Sequence, residues 1–158
     1  MPRNGITTIE NAKVIFRNFR GEERQYNDKG DRNFNLVLDA AAADALSEQG
    51  YNVRVRPPRD EDGDPQYLLP VSVSYKNRPP KIVLVTSRNK TLLDEDTVGE
   101  LDYVDIANID LTIRAYNWTM GNGRSGVKAY LNSMYVTLDE DEFDEKYADI
   151  PYNGSPVS

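Results

Sequence analysis

Apolar and polar residues alternate along most of the chain. Phe34, Leu36 and Leu38 alternate with Asn35 and Val37, and Tyr51, Val53 and Val55 with Asn52, Arg54 and Arg56. Leu69, Val71, Val73 and Tyr75 alternate with Pro70, Ser72, Ser74 and Lys76, and Ile109, Leu111, Ile113 and Ala115 with Asp110, Thr112, Arg114 and Tyr116. A period of two is the signature of strands with one buried face. Ala12–Arg17 is short and β-rich, and Ile82–Thr86 is a continuous apolar run, as in a strand covered on both faces. Residues 127–138 predict a last strand that changes phase. Val127, Ala129 and Leu131 are apolar on odd positions and Met134, Val136 and Leu138 on even ones, which places a β-bulge near Asn132–Ser133.

One helical segment interrupts the strands. Asp39 is an N-cap, Ala40–Gln49 is Ala-rich, and Gly50 is a natural stop. A shorter helix is predicted over Glu95–Leu101 with Asp94 as its cap, and Pro57–Pro65 reads as a loop. About seven strands with one main helix predict a mostly-β fold, a small barrel, over residues 1–138. Residues 139–158 predict an acidic, disordered C-terminal tail.

Composition narrows the chemistry. The 158 residues include no Cys and no His, which excludes a Cys nucleophile, a Ser–His pair, a His general base and the usual zinc ligands. No cofactor and no enzymatic activity are expected. No run approaches the ~18 apolar residues of a membrane span, and no apolar leader follows Met1, so a cytoplasmic protein without a membrane partner is expected. The net charge of −7 is uneven. Residues 1–92 hold 15 basic and 12 acidic side chains, residues 93–138 hold 3 and 7, and residues 139–149 hold 1 and 7. The negative charge therefore concentrates at the end, behind a mildly basic front.

Three motifs lose their sharper meaning in context. Gly121–Gly126 fits G-x-G-x-x-G, but a strand follows where a dinucleotide fingerprint needs a helix, so it reads as a hairpin loop with Arg124 at its tip. Asp60–Asp64 resembles a calcium loop, but Pro65 and Val71 stand where Gly and Glu are required. Asp94, Glu95 and Asp96 would serve a two-metal nuclease only if they converged with Asp139–Glu142 on one cleft. A helix cap and the start of a tail explain them more simply.

The predicted hairpin is more informative. With Ile109, Leu111 and Ile113 inward, Arg114, Tyr116 and Trp118 face outward, joined by Lys128 and Tyr130 on the partner strand. Exposed rings interleaved with cations suit unpaired nucleic acid: bases stack on rings and phosphates meet cations. Ordinary cross-strand packing under a cover explains the same rings equally well. Further cations beside aromatics or in loops extend the candidate path: Arg17, Arg20, Arg32, Tyr75, Lys76, Arg78, Lys81, Arg88 and Lys90. The acidic tail would compete with nucleic acid for such a path, or present Asp149, Ile150, Pro151 and Tyr152 to partner proteins.

Ile9–Phe19, Gly30–Phe34, Val73–Lys81 and Ala129–Val136 together resemble single-stranded DNA-binding proteins of bacteriophages. The resemblance spans roughly residues 9–138. It implies an oligonucleotide/oligosaccharide-binding (OB) barrel that binds single strands without chemistry, in the cytoplasm of a bacterial host. Asp149–Tyr152 is similar to the acidic Asp-Ile-Pro-Phe ending of bacterial single-stranded DNA-binding proteins, with Tyr for Phe and six residues after it. The expected function is to bind and protect single-stranded DNA, largely independently of sequence, during phage replication or recombination. Replication or recombination proteins would be reached through the tail, and self-association stays open. The alternative is an acidic protein–protein module, a virion component or DNA mimic; it is distinguished by where the negative charge sits.

Overall fold

Most of the alternating runs become strands of one sheet. The computed structural model describes residues 5–140 apart from 26, 59 and 77. The strands are β1 (Ile6–Ile9), β2 (Lys13–Asn18), β3 (Arg32–Leu38), β4 (Arg54–Arg56), β5 (Gln66–Val73), β6 (Lys81–Val85), β7 (Lys90–Leu93), β8 (Ile106–Thr119) and β9 (Ser125–Leu138). Helix α1 (Ala40–Glu48) follows β3, and a 3₁₀ helix (Val98–Asp102) follows β7. No helix among the described residues is long and apolar enough to cross a membrane.

The main hydrogen-bonded path runs β1-β8-β9-β5-β3-β2. β8 and β9 form the long hairpin, and β5 meets β9 in parallel through Val71–Ala129 and Ser72–Tyr130. Farther along β9, Lys81–Val85 pairs in parallel with Ser133–Thr137, and β7 pairs with β6 on the other side. β1 lies on β8, while β2 lies on β3. Between them, the Ala12 amide still donates to the Ile109 carbonyl of β8 at 2.7 Å.

The inward residues of the alternating runs make one core. Phe34, Leu36, Val71, Ile82, Ile113, Leu131, Met134 and Val136 are buried, and Phe19 stacks on Phe34 at 5.3 Å. Burying each such side chain stabilises by about 1.5–3 kcal/mol, against the entropy of ordering the chain. The bulge forecast from the phase change is present. Thr112 pairs with Ser133 and Ile113 with Leu131, so Asn132 is the extra residue. Its side-chain amide donates to Thr112 Oγ1 at 3.0 Å. The α1 cap is also as expected: the Asp39 carboxylate accepts from the Ala42 amide at 2.7 Å, and Gly50 leaves the helix with φ of +97°.

Three expectations are corrected. The strand expected over 51–56 shrinks to Arg54–Arg56, and the alternation fails only at its end: Tyr51 is buried and Val53 packs against the core, but Val55 is exposed and Arg56 half-buried. Tyr51 lies outside the strand and is buried through an isolated bridge to Val127, because the chain has just left the helix and packs there. The helix expected over Glu95–Leu101 becomes a turn at Asp94 followed by the 3₁₀ segment. Asp94 Oδ1 accepts from the amides of Asp96 and Thr97 and holds the turn. The polar loop expected over Ser87–Thr91 is shorter, since Lys90 and Thr91 enter β7.

Candidate nucleic-acid interface

The strand register carries an outward row across four strands: Asn33 on β3, Ser72 on β5, Tyr130 on β9 and Arg114 on β8. Small polar groups stand on one half and a ring with its cation on the other. The Arg114 guanidinium lies 5.4 Å from the Tyr130 centroid and the Lys128 Nζ lies 5.0 Å from it. Tyr116, paired with Lys128, meets the Tyr130 ring edge-on at 5.9 Å. Arg114 Nε is buried without a hydrogen-bond partner among the described residues.

Two cavities flank this row and share Ser72 and Lys128, so they join into one groove. The first, about 530 Å³, is lined by Arg54, Pro70, Trp118, Arg124, Gly126 and Lys128 among others. The second, about 650 Å³, is lined by Arg32, Asn33, Tyr75, Lys76, Lys128 and Tyr130, and by Asp31 and Glu95. Five cations and two carboxylates therefore line the groove. A low-dielectric cleft with this balance focuses positive potential on a polyanion.

Trp118 is placed by a glycine. It pairs with Gly126, where a Cβ would stand 2.7 Å from Trp118 Cζ2, so the indole lies across bare backbone. The Gly-rich turn does serve as the hairpin loop: the Met120 amide donates to the Arg124 carbonyl at 2.7 Å, and β9 follows.

At the far end, Arg32 is held three ways. Its Nε donates to the Phe19 carbonyl at 3.0 Å, Nη1 lies 3.6 Å from Glu95 Oε1, and its guanidinium sits 5.4 Å from the Tyr75 centroid. Burial pushes the Tyr75 phenol up to about 12, a rise opposed by Arg32 and aided by Asp94 and Glu95. Tyr75 is thus a neutral ring at any physiological pH, with its hydroxyl buried and unpaired among the described residues.

The structure brings together Arg32, Tyr75, Lys76, Arg114, Tyr116, Trp118, Arg124, Lys128 and Tyr130 from the sequence-based set. It separates others from them. Arg17 Nη1 donates to the carbonyls of Leu101 and Val104 at 2.7 and 2.9 Å, tying β2 to the end of the 3₁₀ helix. Arg20 donates to the Tyr103 hydroxyl at 2.8 Å and pairs with Glu22; the Tyr103 contact raises its pKa. Lys81 lies over Tyr135 and lines an adjoining cavity of about 480 Å³ that shares Tyr75 and Glu95 with the groove. Lys90 and Arg88 are exposed on the β6–β7 hairpin, which meets the other half of β9. Arg78 is exposed in the β5–β6 connection. The tail residues Asp149, Ile150, Pro151 and Tyr152 lie outside the described residues. Arg54, Asn33 and Ser72 were not among the expected site residues. The alternation of Arg54 and Arg56 with Val55 was the available signal.

The acidic cluster is employed otherwise. Asp94 caps its turn, and no group of three or more metal-ligating side chains occurs among the described residues.

Residues 3–157 match the family model described as "Putative phage ssDNA-binding domain". The chain belongs to this phage single-stranded DNA-binding family. It is a family of binding domains rather than enzymes, and this chain is a phage single-stranded DNA-binding protein. No curated protein matches it in sequence. In fold, this phage protein is similar to the single-stranded DNA-binding protein of bacteriophage Enc34 in complex with ssDNA, at TM-score 0.57 and 12% identity over 88% of this chain and 89% of that one. It is similar also to a second structure of that bacteriophage Enc34 protein, at TM-score 0.54 and 13% identity over 98% of this chain and 87% of that one. A C-terminal truncation of the Enc34 protein gives TM-score 0.52 and 14% identity over 87% and 88%. A mostly-β sheet with one helix is therefore the fold this phage family member shares with its structural neighbours.

Proposed function

We propose that this protein coats and protects single-stranded DNA with little sequence preference during phage replication or recombination. The observation that carries the reading is Tyr130, a half-buried ring on the floor of a cation-lined groove, with Lys128 and Arg114 beside it. A ring of this kind accepts any base by stacking, and the flanking cations take the phosphates; neither contact reads base identity. The complex recorded for the Enc34 protein supports the same ligand here.

The fold reading deepens in the same direction. β1 and β2 act as two halves of one bent strand, on β8 first and on β3 afterwards, with Ala12 bonded to Ile109 between them. The ladder β1/β2-β3-β5-β9-β8 then returns to its start, in support of a closed OB-type barrel. The groove crosses β3, β5 and β9 beside the β8–β9 loop, where such barrels hold oligonucleotides. Residues 1–138 are the binding domain and residues 139–158 the acidic tail. Asp149–Tyr152 would present itself to replication or recombination proteins in the host cytoplasm.

Quenching of the single tryptophan, Trp118, tests the proposal, because that ring lines the groove. Titration with oligo-dT and with a mixed-sequence oligonucleotide of equal length is expected to give affinities within a few-fold of each other, with much weaker binding of duplex. Binding of one sequence only, or of neither, contradicts it.

A further inference from the structure

Phe16 has a backbone conformation and an exposure that packing does not explain. β2 pairs Ile15 with Asn35 and next Asn18 with Asn33, so Phe16 and Arg17 stand opposite Phe34 alone. Phe16 takes φ of +54° in this bulge, a left-handed conformation that the first bulge residue usually leaves to glycine. A bulky aromatic residue there is strained. Burial does not compensate, since Phe16 is 54% exposed. Arg17, beside it, is bonded into the fold, and the buried Phe19 completes the core; Phe16 does neither.

Among the described residues, the Phe16 ring meets a cation. The Arg56 guanidinium lies 5.4 Å from the Phe16 centroid. Arg56 and Arg54 are two apart on β4 and share a face of that strand, about 6.6 Å apart along it. Arg54 lines the groove beside Lys128 and Trp118. The line of cations thus passes from Lys128 through Arg54 to Arg56, and ends on an exposed ring. The same pair of groups, a ring with a guanidinium over it, holds Tyr130 at the other end.

We propose that Phe16 and Arg56 form a second nucleobase-stacking station, beyond Tyr130 along the same bound strand, with Arg56 taking an adjacent phosphate. This rests on the single-strand-binding reading and extends it past the groove around Tyr130. Strained, exposed residues that the surroundings hold in place collect where a ligand is met, and the ring then gains its partner on binding.

The test pairs stability with affinity in the full chain. Phe16→Leu keeps an apolar side chain and the strained φ but removes the ring face. It is expected to weaken oligo-dT binding by about five- to a hundred-fold, from the usual worth of one stacked base. Phe16→Trp is expected to retain wild-type affinity. Phe16→Gly relieves the backbone, so its Tm is expected to equal or exceed wild type while its affinity falls as far as that of Phe16→Leu. Wild-type affinity in Phe16→Leu overturns the station, and so does a steep loss of Tm in Phe16→Gly, which would make the ring structural. Tyr130→Leu separates the two ideas. If it loses affinity while Phe16→Leu does not, the groove stands and the second station falls; if the wild-type chain itself fails to bind, both fall.

Discussion

Tyr130 is held by three neighbours, Arg114, Lys128 and the edge of Tyr116, before any ligand arrives. A ring fixed in this way loses little entropy when a base stacks on it. Tyr130→Phe is expected to bind oligo-dT like wild type, since only the face is used. Tyr130→Leu is expected to cost about 1–3 kcal/mol of binding with little change in Tm, read by titration beside thermal melting. Tyr75 contributes at high pH. Unfolded, it ionises near pH 10; folded, it stays protonated up to about 12. Between those values the unfolded chain releases a proton that the folded chain keeps, so Tyr75's contribution to stability is whole below pH 10 and is lost as pH rises through 12. Tyr75→Phe is expected to flatten the alkaline fall in Tm over that window.

The cations show where residue-level reading stops. Arg17, Arg20 and Arg32 are alike in sequence, each near a Phe. The first is consumed by two carbonyls at the end of a 3₁₀ helix, the second by Tyr103 and Glu22, and only the third borders the groove. What a guanidinium does depends on which carbonyls the tertiary fold brings to it, and no local pattern carries that.

At the scale of elements, the β8–β9 hairpin was legible because alternation fixes which side chains share a face, and the phase slip placed the bulge at Asn132. α1 was legible through Asp39 and Gly50. β4 was not. Its alternation suggested Val55 inward, but three residues paired on an edge of β5 obey their partner strand, and Val55 is 60% exposed. Arg54, exposed on the same strand, lines the groove. The turn before the 3₁₀ helix supplies Glu95, whose carboxylate stands 3.6 Å from Arg32 where a phosphate would compete for it. Glu95→Gln is expected to tighten oligo-dT binding about two- to fivefold and to steepen its salt dependence, because one more cation is free to release its counterions. Unchanged affinity would mean that Arg32 is wholly engaged by Phe19 and Tyr75.

At the scale of the whole molecule, the net charge of −7 describes no single surface. The groove is lined by five cations and two carboxylates, while seven acidic residues lie between 139 and 149. We propose that this acidic end, tethered to a cation-lined groove, competes there with nucleic acid at high effective concentration. Removing residues 139–158 is expected to tighten single-strand binding several-fold at low salt, with the difference shrinking as salt screens both species. Equal affinity with and without the tail would assign those residues to partner proteins alone.

The central claim is that stacking and phosphate neutralisation in this groove bind single strands. Titrating oligo-dT across a series of salt concentrations tests it most directly. Each neutralised phosphate contributes about −0.7 to the slope of log K against log salt, so the groove's five cations, with Arg114 and Arg56 beside them, set an upper magnitude near −5. A slope between about −2 and −5, reduced in magnitude by about 0.7 in Lys128→Ala, is predicted. Binding independent of salt, or a slope that Lys128→Ala leaves unchanged, would contradict it.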